Sequence, residues 1–348
     1  MLAIDGSQKS GSGTIVRCAV ALAALLGEEL SLTNIRARRD QPGLRPQHLQ
    51  AVEAVAHLVG AEMDGARVGS SRLRFRPSGP IRGGTHLWDI GTAGSTTLLA
   101  MTLLPVAAFA REPCSFRLQG GLFQDFAPSA YHLQQVLLSL LEQMGLQAQI
   151  RIVRPGYVPK GGGIIEMEVQ PMDGPLRALS LVHPGKAERV WGVALSSHLE
   201  GRRVSDRMAE RCRRNLAAAG LDASIEVAYD RTALQPGAAL AVFARTDAGC
   251  IFGADGAGAP GRPSEAIAHT VARRLMDDLE SGGTVDRHAA DQLVIYGALA
   301  EGTTEYVVPS VTEHVETNCW LAREILGADV DLVDRHIRIR GIGYRRTG

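Results

Sequence analysis

Residues 5–26 read DGSQKSGSGTIVRCAVALAALL, a glycine- and serine-rich turn followed by an apolar run. The turn follows a short N-terminal strand. The run is apolar on every side, so it predicts a helix over residues 15–26 that is buried between other elements. Its only charge is Arg17, and a buried guanidinium needs an anion to offset its desolvation. Because the helix contains no acid, a ligand is one source of that anion. The turn itself is neither a Walker loop nor a dinucleotide fingerprint.

Four arginines surround a Pro-Gly turn further along, in the stretch RARRDQPGLRPQHL at residues 36–49. A guanidinium fork matches the oxygens of a phosphate group. Pro46 suits the first position of a helix, whose orphan N–H groups also attract anions. A solvated basic loop would have the same composition, but the preceding helix with Arg17 favours a phosphate site.

The glycine-rich turn and the apolar helix are the first elements of a pattern that occurs three times along the chain. The pattern is a helix, a strand, a second helix and two strands. The first unit comprises helix 15–26, strand 30–37, helix 46–60 and strands 66–68 and 71–75. The second comprises a helix from Thr92 to Ala110, strand 114–119, helix 127–144 and strands 147–153 and 163–169. The third comprises helix 291–300, strand 304–308, helix 312–326 and strands 329–333 and 336–339. With a leading strand, each unit is βαβαββ.

The residues between the second and third units have their own pattern and predict an inserted α/β domain. Its predicted elements are strands 190–196, 224–228 and 238–246, helix 204–219 and a glycine-rich exit linker at 253–261. The predicted division is therefore a large domain made of residues 1–178 and 264–348 and an insert at 179–263. The basic cluster RCRR at 211–214 is assigned to the exposed face of the insert's helix.

The composition, with 348 residues, 45% hydrophobic and 21% charged, is that of a globular protein large enough for two domains. Its 37 basic residues balance 37 acidic ones. This balance argues against broad nonspecific nucleic-acid binding, but it allows a local basic site for one strand end. The five cysteines have neither metal-ligand nor disulfide spacing, and no cleavable leader follows Met1, so we expect a cytoplasmic protein. The apolar stretch 98–110 is too short to cross a bilayer, and no membrane segment is expected.

Several short motifs, spread over nearly the full length, occur together in one known family. They are IDGS at 4–7, PGL at 42–44, QHL at 47–49, IGTAGS at 90–95, GG at 120–121, AP at 127–128, ADQL at 290–293 and VTEH at 311–314. With the two arginine segments, they make the chain resemble the RNA 3′-terminal phosphate cyclases. The resemblance implies an α/β (α+β) fold of three βαβαββ repeats, similar to the C-terminal domain of a bacterial translation initiation factor. It also implies a small α/β insert before the third repeat.

The resemblance implies an enzyme that uses ATP and a divalent metal, Mg²⁺ or Mn²⁺, to convert an RNA 3′-phosphate into a 2′,3′-cyclic phosphate. His314 stands at the position of the histidine that becomes covalently adenylated in this family. With Thr312 as the N-cap, His314 falls in the first turn of a helix. There the positive helix end disfavours the imidazolium and attracts phosphate. Without the resemblance, a surface histidine at a helix start would be the ordinary interpretation.

Two further groups of side chains match family positions around the substrates. The resemblance assigns Arg17, Arg36 and Arg39 to the phosphates of the nucleotide and the RNA, with Gln47 as a neutral donor. It places Pro128, His288, Asp291 and Gln292 beside the nucleotide. Asp291 is a candidate for orienting His314 or the ribose, although an acid at a helix start is also an ordinary cap.

Several positions depart from the family pattern, among them Leu122-Phe123, Tyr131-His132 and three that bear directly on the predicted metal and nucleotide sites. Ser10 stands where the first turn usually carries a metal-binding glutamate, and Met101 replaces a usual glutamine that faces phosphate. His288 occupies a position that is often aromatic and close to the adenine. Loss of a carboxylate weakens a site for a hard cation unless the nucleotide phosphates and water hold the metal. The metal ligands are therefore left unassigned. The expected partner is RNA with a 3′-phosphate end, and no feature specifies an oligomeric state.

Two alternatives come from other classes of protein. A noncatalytic cyclase-like factor in RNA or ribosome assembly would explain the missing glutamate and glutamine, but the retained His314 argues against it. An enolpyruvyl transferase could share the repeat architecture and bind phosphorylated small molecules. The segments around His314 and Asp291 match the cyclases instead.

Overall fold

Four mixed sheets of four strands each, together with nine α-helices, make up residues 1–346, the part of the chain that the computed structural model describes. In the first sheet, β1 (Leu2–Asp5) and β2 (Leu30–Thr33) are parallel, and β4 (Leu73–Arg76) lies antiparallel between β2 and β3 (Glu62–Asp64). The sheet order is β1-β2-β4-β3. The intervening helices are α1 (Gly13–Leu26) and α2 (Pro46–Val59). Pro46 is the first residue of α2, as predicted.

The second sheet has the same strand order and directions. Its strands are β5 (Gly84–Asp89), β6 (Cys114–Gly120), β7 (Ala148–Arg154) and β8 (Gly163–Val169), in the order β5-β6-β8-β7. Only the pair β5 and β6 is parallel. The connecting helices are α3 (Thr96–Ala107), α4 (Ala130–His132) and α5 (Leu138–Gln143), with a π-helical turn at Leu133–Leu137 joining the last two.

After the short strand β9 (Ser180–Leu181), the chain forms a separate sheet with two helices. Its elements are β10 (Ala187–Ser197), α6 (Val204–Ala218), β11 (Ala223–Asp230), β12 (Gly237–Thr246), β13 (Ile251–Ala257) and α7 (Ser264–Glu280). The order is β11-β10-β12-β13, and only β10 and β11 are parallel. Helix α7 packs against α6 and against β12 and β13, so it lies with this sheet.

The remaining sheet includes β9 as an edge strand. Its other elements are α8 (Ala289–Leu299), β14 (Thr303–Val307), α9 (Glu313–Leu326), β15 (Asp329–Val333) and β16 (His336–Arg340). The order β9-β14-β16-β15, with only β9 and β14 parallel, is that of the first two sheets. The sheet β10–β13 and its helices α6 and α7 therefore lie in the chain between β9 and α8, the first strand and the first helix of this group.

Several predicted element boundaries were wrong. Strand β2 ends at Thr33 rather than at residue 37, because Asn34 and Arg36 have positive φ angles of 50° and 52°. The predicted strand 66–68 lies in the turn between β3 and β4. The helix predicted from residue 127 begins at Ala130, where the Ser129 hydroxyl accepts the N–H of His132. Much of the predicted linker 253–261 belongs to β13, and α7 was not predicted.

A buried ion pair links helix α4 to the segment that precedes α8. His132 Nε2 lies 2.9 Å from Asp286 Oδ2, and both side chains are 0% exposed. The same carboxylate accepts the N–H of Gly253 in β13 at 2.8 Å and those of His288 and Ala289 at the start of α8. Asp286 thus fixes the start of α8 relative to both β13 and α4.

The segment after β16 contacts all three sheets of like topology through their helices. The N–H groups of Ile342 and Tyr344 bond to carbonyls of Ala298 and Leu299 at the end of α8. The Tyr344 hydroxyl donates to the Leu25 carbonyl of α1, and its ring lies edge-on to Phe109, with centroids 4.7 Å apart. Among residues 1–346, no helix combines the length and the apolar character needed to cross a membrane.

Candidate active site

The N-terminal ends of α1 and α9 meet, although about 300 residues separate them in sequence. The Ser12 hydroxyl caps α1 by accepting the Thr14 N–H, and the Thr312 hydroxyl caps α9 by accepting the Val315 N–H. The two ends are tied together because the Ser10 N–H donates to the Thr317 hydroxyl at 3.1 Å. Both positive helix ends therefore point to one region, which favours an anion there.

His314 lies at this junction as the second residue of α9. Its Nδ1 is 3.3 Å from Thr14 Oγ1 on α1. The residue as a whole is exposed, but its ring borders a cavity. Desolvation of the ring, together with the positive charges of Arg17 and Arg39, lowers the pKa of His314 from its ordinary value near 6.5. The imidazole is therefore neutral at neutral pH. The N-cap predicted at Thr312 is confirmed.

Arg17 projects from α1 beside the same junction. It is partly buried, and among residues 1–346 it forms no salt bridge; its guanidinium donates to Thr14 Oγ1 at 3.4 Å. Burial lowers its pKa, although the Arg17 side chain stays cationic at neutral pH. A desolvated guanidinium without a carboxylate partner favours an anionic ligand.

The loop between β2 and α2 places further arginines near His314. Arg39 donates to the Ser10 carbonyl at 3.0 Å, and Arg36 donates to the Gln41 and Gly43 carbonyls at 2.5 and 3.1 Å. Partial burial and the positive charges of Arg45 and Arg39 lower the pKa of Arg36. These arginines form no salt bridge with residues 1–346, so their mutual repulsion is relieved only by backbone carbonyls and solvent. The structure thus brings together Arg17, Arg39 and His314, with Arg36 in the same loop.

A cavity of about 310 Å³ opens beside His314, between α1, α3, α8 and α9. Its charged lining comprises Arg17 and His314 together with the carboxyl groups of Asp125 and Asp291. Most of the remaining lining is apolar and comes from these helices and the loop before α4; it includes Leu98, Met101, Phe126, Pro128, Ile295 and Tyr296. A largely apolar cavity of this size with a few charged groups suits a small ligand, and the Arg17 guanidinium favours a phosphate on that ligand.

The residues assigned to the nucleotide, Pro128, His288, Asp291 and Gln292, all line this cavity. Gln292 Oε1 is buried and has no hydrogen-bond partner in residues 1–346, so it is free to accept a bond from a ligand. Desolvation lowers the pKa of His288, whose ring lies edge-on to His132. These three side chains and Pro128 therefore fit a nucleotide.

Asp291 lines the same cavity as His314, but no hydrogen bond joins the two side chains. Its carboxylate accepts from Asn318 Nδ2 at 3.3 Å, and the same amide donates to the Asp291 carbonyl at 2.8 Å. Burial raises the pKa of Asp291 to about 7. The Thr14 hydroxyl, rather than a carboxylate, is the neighbour of the His314 ring.

Gln47 lies at the start of α2 and does not line the cavity. Its Cβ packs against Gly94 in the turn before α3, where a side chain at residue 94 would approach it within 3.2 Å. The adjacent His48 is buried, and desolvation together with the neighbouring Arg17, Arg36 and Arg45 lowers its pKa to about 3. Its Nδ1 accepts the Arg45 N–H, which makes His48 a structural residue of the arginine loop.

The surroundings of Ser10 do not fit a divalent metal held by the protein. The Ser10 hydroxyl is 2.9 Å from the hydroxyls of both Ser12 and Thr317, so these neutral groups satisfy one another. Hard cations such as Mg²⁺ require several oxygen ligands, usually with carboxylates among them. In residues 1–346 no group of three or more His, Cys, Asp or Glu side chains could hold a metal ion.

Sequence reasoning missed two residues of the site, Thr14 and Asn318. Each had a signal in its spacing. Thr14 precedes Arg17 by three positions on α1, and Asn318 follows His314 by four on α9, so each shares a helix face with a predicted site residue.

The geometry defines a class of site: a neutral histidine and unpaired arginines at converging helix ends, beside a nucleotide-sized cavity. Residues 8–332 match the sequence profile described as RNA 3′-terminal phosphate cyclase. The RNA 3′-terminal phosphate cyclase of Pyrobaculum aerophilum is 35% identical over 347 residues, covering 99% of each chain. That of Pyrococcus abyssi is 38% identical over 333 residues and covers 95% of each. The protein of the same name from Methylococcus capsulatus is 38% identical over 338 residues, covering 95% of this chain and 93% of its own.

The chain therefore belongs to the RNA 3′-terminal phosphate cyclase family, a family of ATP-dependent enzymes, and the predicted family is confirmed. A solved structure of the enolpyruvyl transferase NikO from Streptomyces tendae also matches. It is 14% identical, covers 98% of this chain and 51% of its own, and has a TM-score of 0.28, so it carries no argument about function.

Proposed function

We propose that this protein converts an RNA 3′-terminal phosphate into a 2′,3′-cyclic phosphate in an ATP-dependent reaction with His314 as the nucleophile. Membership of the family supports the cyclisation. The observation that carries the mechanism is the position of His314. Its neutral ring lies at the mouth of the cavity, beside Arg17 and between two helix N-termini.

In the first step, His314 Nε2 attacks the α-phosphorus of ATP. We assign the ring proton to Nδ1, because Thr14 Oγ1 has two lone pairs to accept from both His314 Nδ1–H and Arg17. This tautomer leaves the lone pair on Nε2 free. An N–P bond forms while the bond from the α-phosphorus to the bridging oxygen breaks, and pyrophosphate leaves with that electron pair.

In the second step, an oxygen of the RNA 3′-phosphate attacks the phosphorus of the histidine-bound AMP. The N–P bond breaks, and its electron pair returns to Nε2. In the third step, the vicinal 2′-hydroxyl attacks the activated 3′-phosphorus and loses its proton to solvent, while AMP leaves. The product is the 2′,3′-cyclic phosphate.

The arginines offset the main obstacle, which is the repulsion between the phosphates of ATP and RNA. Arg17 lies closest to the cavity and would bind the ATP phosphates. Arg36 and Arg39, in the loop beside Ser10, would bind the RNA 3′-phosphate once it displaces their backbone contacts. Gln47, at the start of α2, would act as a neutral hydrogen-bond donor to phosphate.

The nucleotide would occupy the cavity itself. Pro128 and His288 would contact the base, and Gln292 Oε1, buried without a partner, would accept a hydrogen bond from it. Asp291, held by Asn318, would face the ribose. A divalent cation, Mg²⁺ or Mn²⁺, would have to be held by the ATP phosphates and water.

We also propose that the three sheets of like topology are repeats of one βαβαββ unit, and that the sheet β10–β13 with α6 and α7 is an inserted domain. The shared strand order supports the repeats. The pairing of β9 with β14 supports an insertion inside the third unit, between β9 and α8, rather than at the boundaries predicted at 179 and 263. The five free cysteines are compatible with the cytoplasmic location proposed from the sequence.

The test is transfer of label from α-labelled ATP to the protein, measured after denaturation with Mg²⁺ and with Mn²⁺. We expect label on the wild type and on His336→Ala, a surface control on β16, but not on His314→Ala. Chase with an RNA 3′-phosphate should then release AMP and yield the cyclic end. If no protein is labelled with either metal, the histidine mechanism is wrong. The noncatalytic RNA- or ribosome-assembly factor then becomes the better proposal.

A further inference from the structure

Positive charge is concentrated in two segments that pack against each other. Residues 36–45 and 65–74 together hold seven arginines and one aspartate, in a chain whose formal net charge is zero. The first segment is the arginine loop of the candidate site. The second is the turn between β3 and β4 with the start of β4, and the proposed reaction gives it no role.

The two segments are joined through their backbones. The Gly69 N–H donates to the Leu44 carbonyl at 2.7 Å, and the Leu44 N–H donates to the Ser70 carbonyl at 3.0 Å. The Ile35 N–H donates to the Ser71 carbonyl at 3.0 Å. The turn is thus held directly against the loop that places Arg36 and Arg39 near His314.

Arg67 and Arg72 in this turn are exposed and uncommitted. Within residues 1–346, neither guanidinium forms a salt bridge or a hydrogen bond, whereas Arg74 pairs with Glu29 at 2.8 Å. The two arginines line an open hollow of about 640 Å³ on the first sheet, in which Asp64 is the single acid. We call the exposed side of residues 65–72 the turn surface.

We infer that the turn surface binds the sugar-phosphate backbone of the RNA strand upstream of its 3′-phosphate. This inference rests on the proposed function, because an RNA end placed at Arg36 and Arg39 must continue across a neighbouring surface. The turn surface is adjacent, carries exposed guanidiniums without partners in the described chain, and borders an open hollow of about 640 Å³. A single strand is attracted to such a surface because neutralising its phosphates releases counterions.

The test compares two double variants of the whole protein. In one, Arg67→Gln and Arg72→Gln remove the charges of the turn surface. In the matched control, Arg111→Gln and Arg340→Gln remove two exposed arginines that also form no salt bridge within the described chain. The substrates are a dinucleotide and a dodecanucleotide, each with a 3′-phosphate. Binding is measured by fluorescence anisotropy over a range of salt, and turnover by formation of the cyclic end.

We expect the turn-surface variant to bind the dodecanucleotide about tenfold more weakly than the wild type. The slope of log affinity against log salt should fall by about 1.4, because each phosphate neutralised on a single strand contributes about 0.7. Binding and turnover of the dinucleotide should not change, and the control should match the wild type.

Equal affinity and equal salt slope for both variants with the dodecanucleotide would overturn the inference, even if both cyclise RNA normally. If the wild type cyclises neither RNA, the proposed function fails instead. The anisotropy comparison still decides whether the turn surface binds RNA in that case.

Discussion

The hydroxyl of Thr14 lies 3.3 Å from Nδ1 of His314, although 300 residues separate them in the chain. Each is the second residue of its helix, α1 or α9, so the contact exists only when the helices of the first and fourth sheets are packed together. In the proposed reaction, this hydroxyl orients the histidine, while the carboxylate of Asp291 is engaged with Asn318.

Replacing Thr14 with valine should slow transfer of label from ATP to His314 by about two- to tenfold, the range for one net hydrogen bond. Thr14→Ser keeps the hydroxyl and should restore most of the rate. The measurement is the single-turnover rate of protein labelling. Equal rates for the valine and serine variants would show that the hydroxyl does not position the ring.

The rate of labelling should fall at acid pH with a midpoint below 6.5, because desolvation and the charges of Arg17 and Arg39 lower the pKa of His314. The protonated ring has no lone pair to attack phosphorus, so the rate falls as pH drops through that lowered pKa. Arg39→Gln removes a positive charge and should move the midpoint upward. Titration of the His314 ring by NMR without ATP measures this shift. An unchanged midpoint would contradict it.

Arg17→Met should lower ATP-dependent labelling by more than about a hundredfold, because it removes the cation closest to the cavity. The same change should leave the melting temperature unchanged or raise it, since it removes a buried charge that has no carboxylate partner in the described chain. A calorimetric scan and a labelling assay of one preparation test both effects. A fall in melting temperature with retained labelling would show that Arg17 stabilises the fold rather than binds ATP.

The buried pair of His132 and Asp286 should stabilise the fold most between about pH 4 and 6.5. Burial alone would lower the pKa of His132, but the Asp286 carboxylate outweighs it and raises that pKa. Burial would raise the pKa of Asp286, but His132 lowers it to about 2. The contribution of His132 is full below its unfolded pKa near 6.5 and is lost as pH rises through the raised value. That of Asp286 is present above about 3.8 and is lost as pH falls toward about 2.

Asp286→Asn should therefore lower the free energy of unfolding at pH 5.5 by about 3–5 kcal/mol, as for other broken buried pairs. Glu210→Gln breaks the exposed pair with Arg214 and should cost less than about 1 kcal/mol. Urea unfolding of the three proteins compares them directly. Similar losses of unfolding free energy in both variants would contradict a larger stabilisation by the buried pair than by the exposed one.

The sequence predicted most helices because their signals are local. The apolar run with Arg17, the N-cap Thr312 and the first-position proline Pro46 each predict a helix without reference to the rest of the chain. Strand β9 and the association of α7 with the sheet β10–β13 were not predictable in this way. A two-residue strand has no periodicity, and the partner of α7 is decided by packing.

The candidate site was likewise predictable only in part: its residues have local signals, but the contacts between them do not. Motifs predicted His314 and the arginines as site residues, and the burial expected for Arg17 is present in part. The contact between Thr14 and His314 depends on how α1 meets α9, which no spacing along the chain encodes. The hydroxyl cluster around Ser10 likewise forms from residues at both ends of the chain, so a sequence comparison sees only a missing carboxylate.

The Tyr344 side chain contacts α1 and Phe109, and its backbone N–H is hydrogen-bonded to the end of α8. One short segment therefore contacts elements of all three sheets that share the same topology. A growing chain can fold each sheet as it emerges from the ribosome. The contacts of Tyr344 with α1, α8 and Phe109 can form only after synthesis has passed this residue. The contact between Thr14 and His314 needs α9, so both links would form only after the residues of the first three sheets have been synthesised.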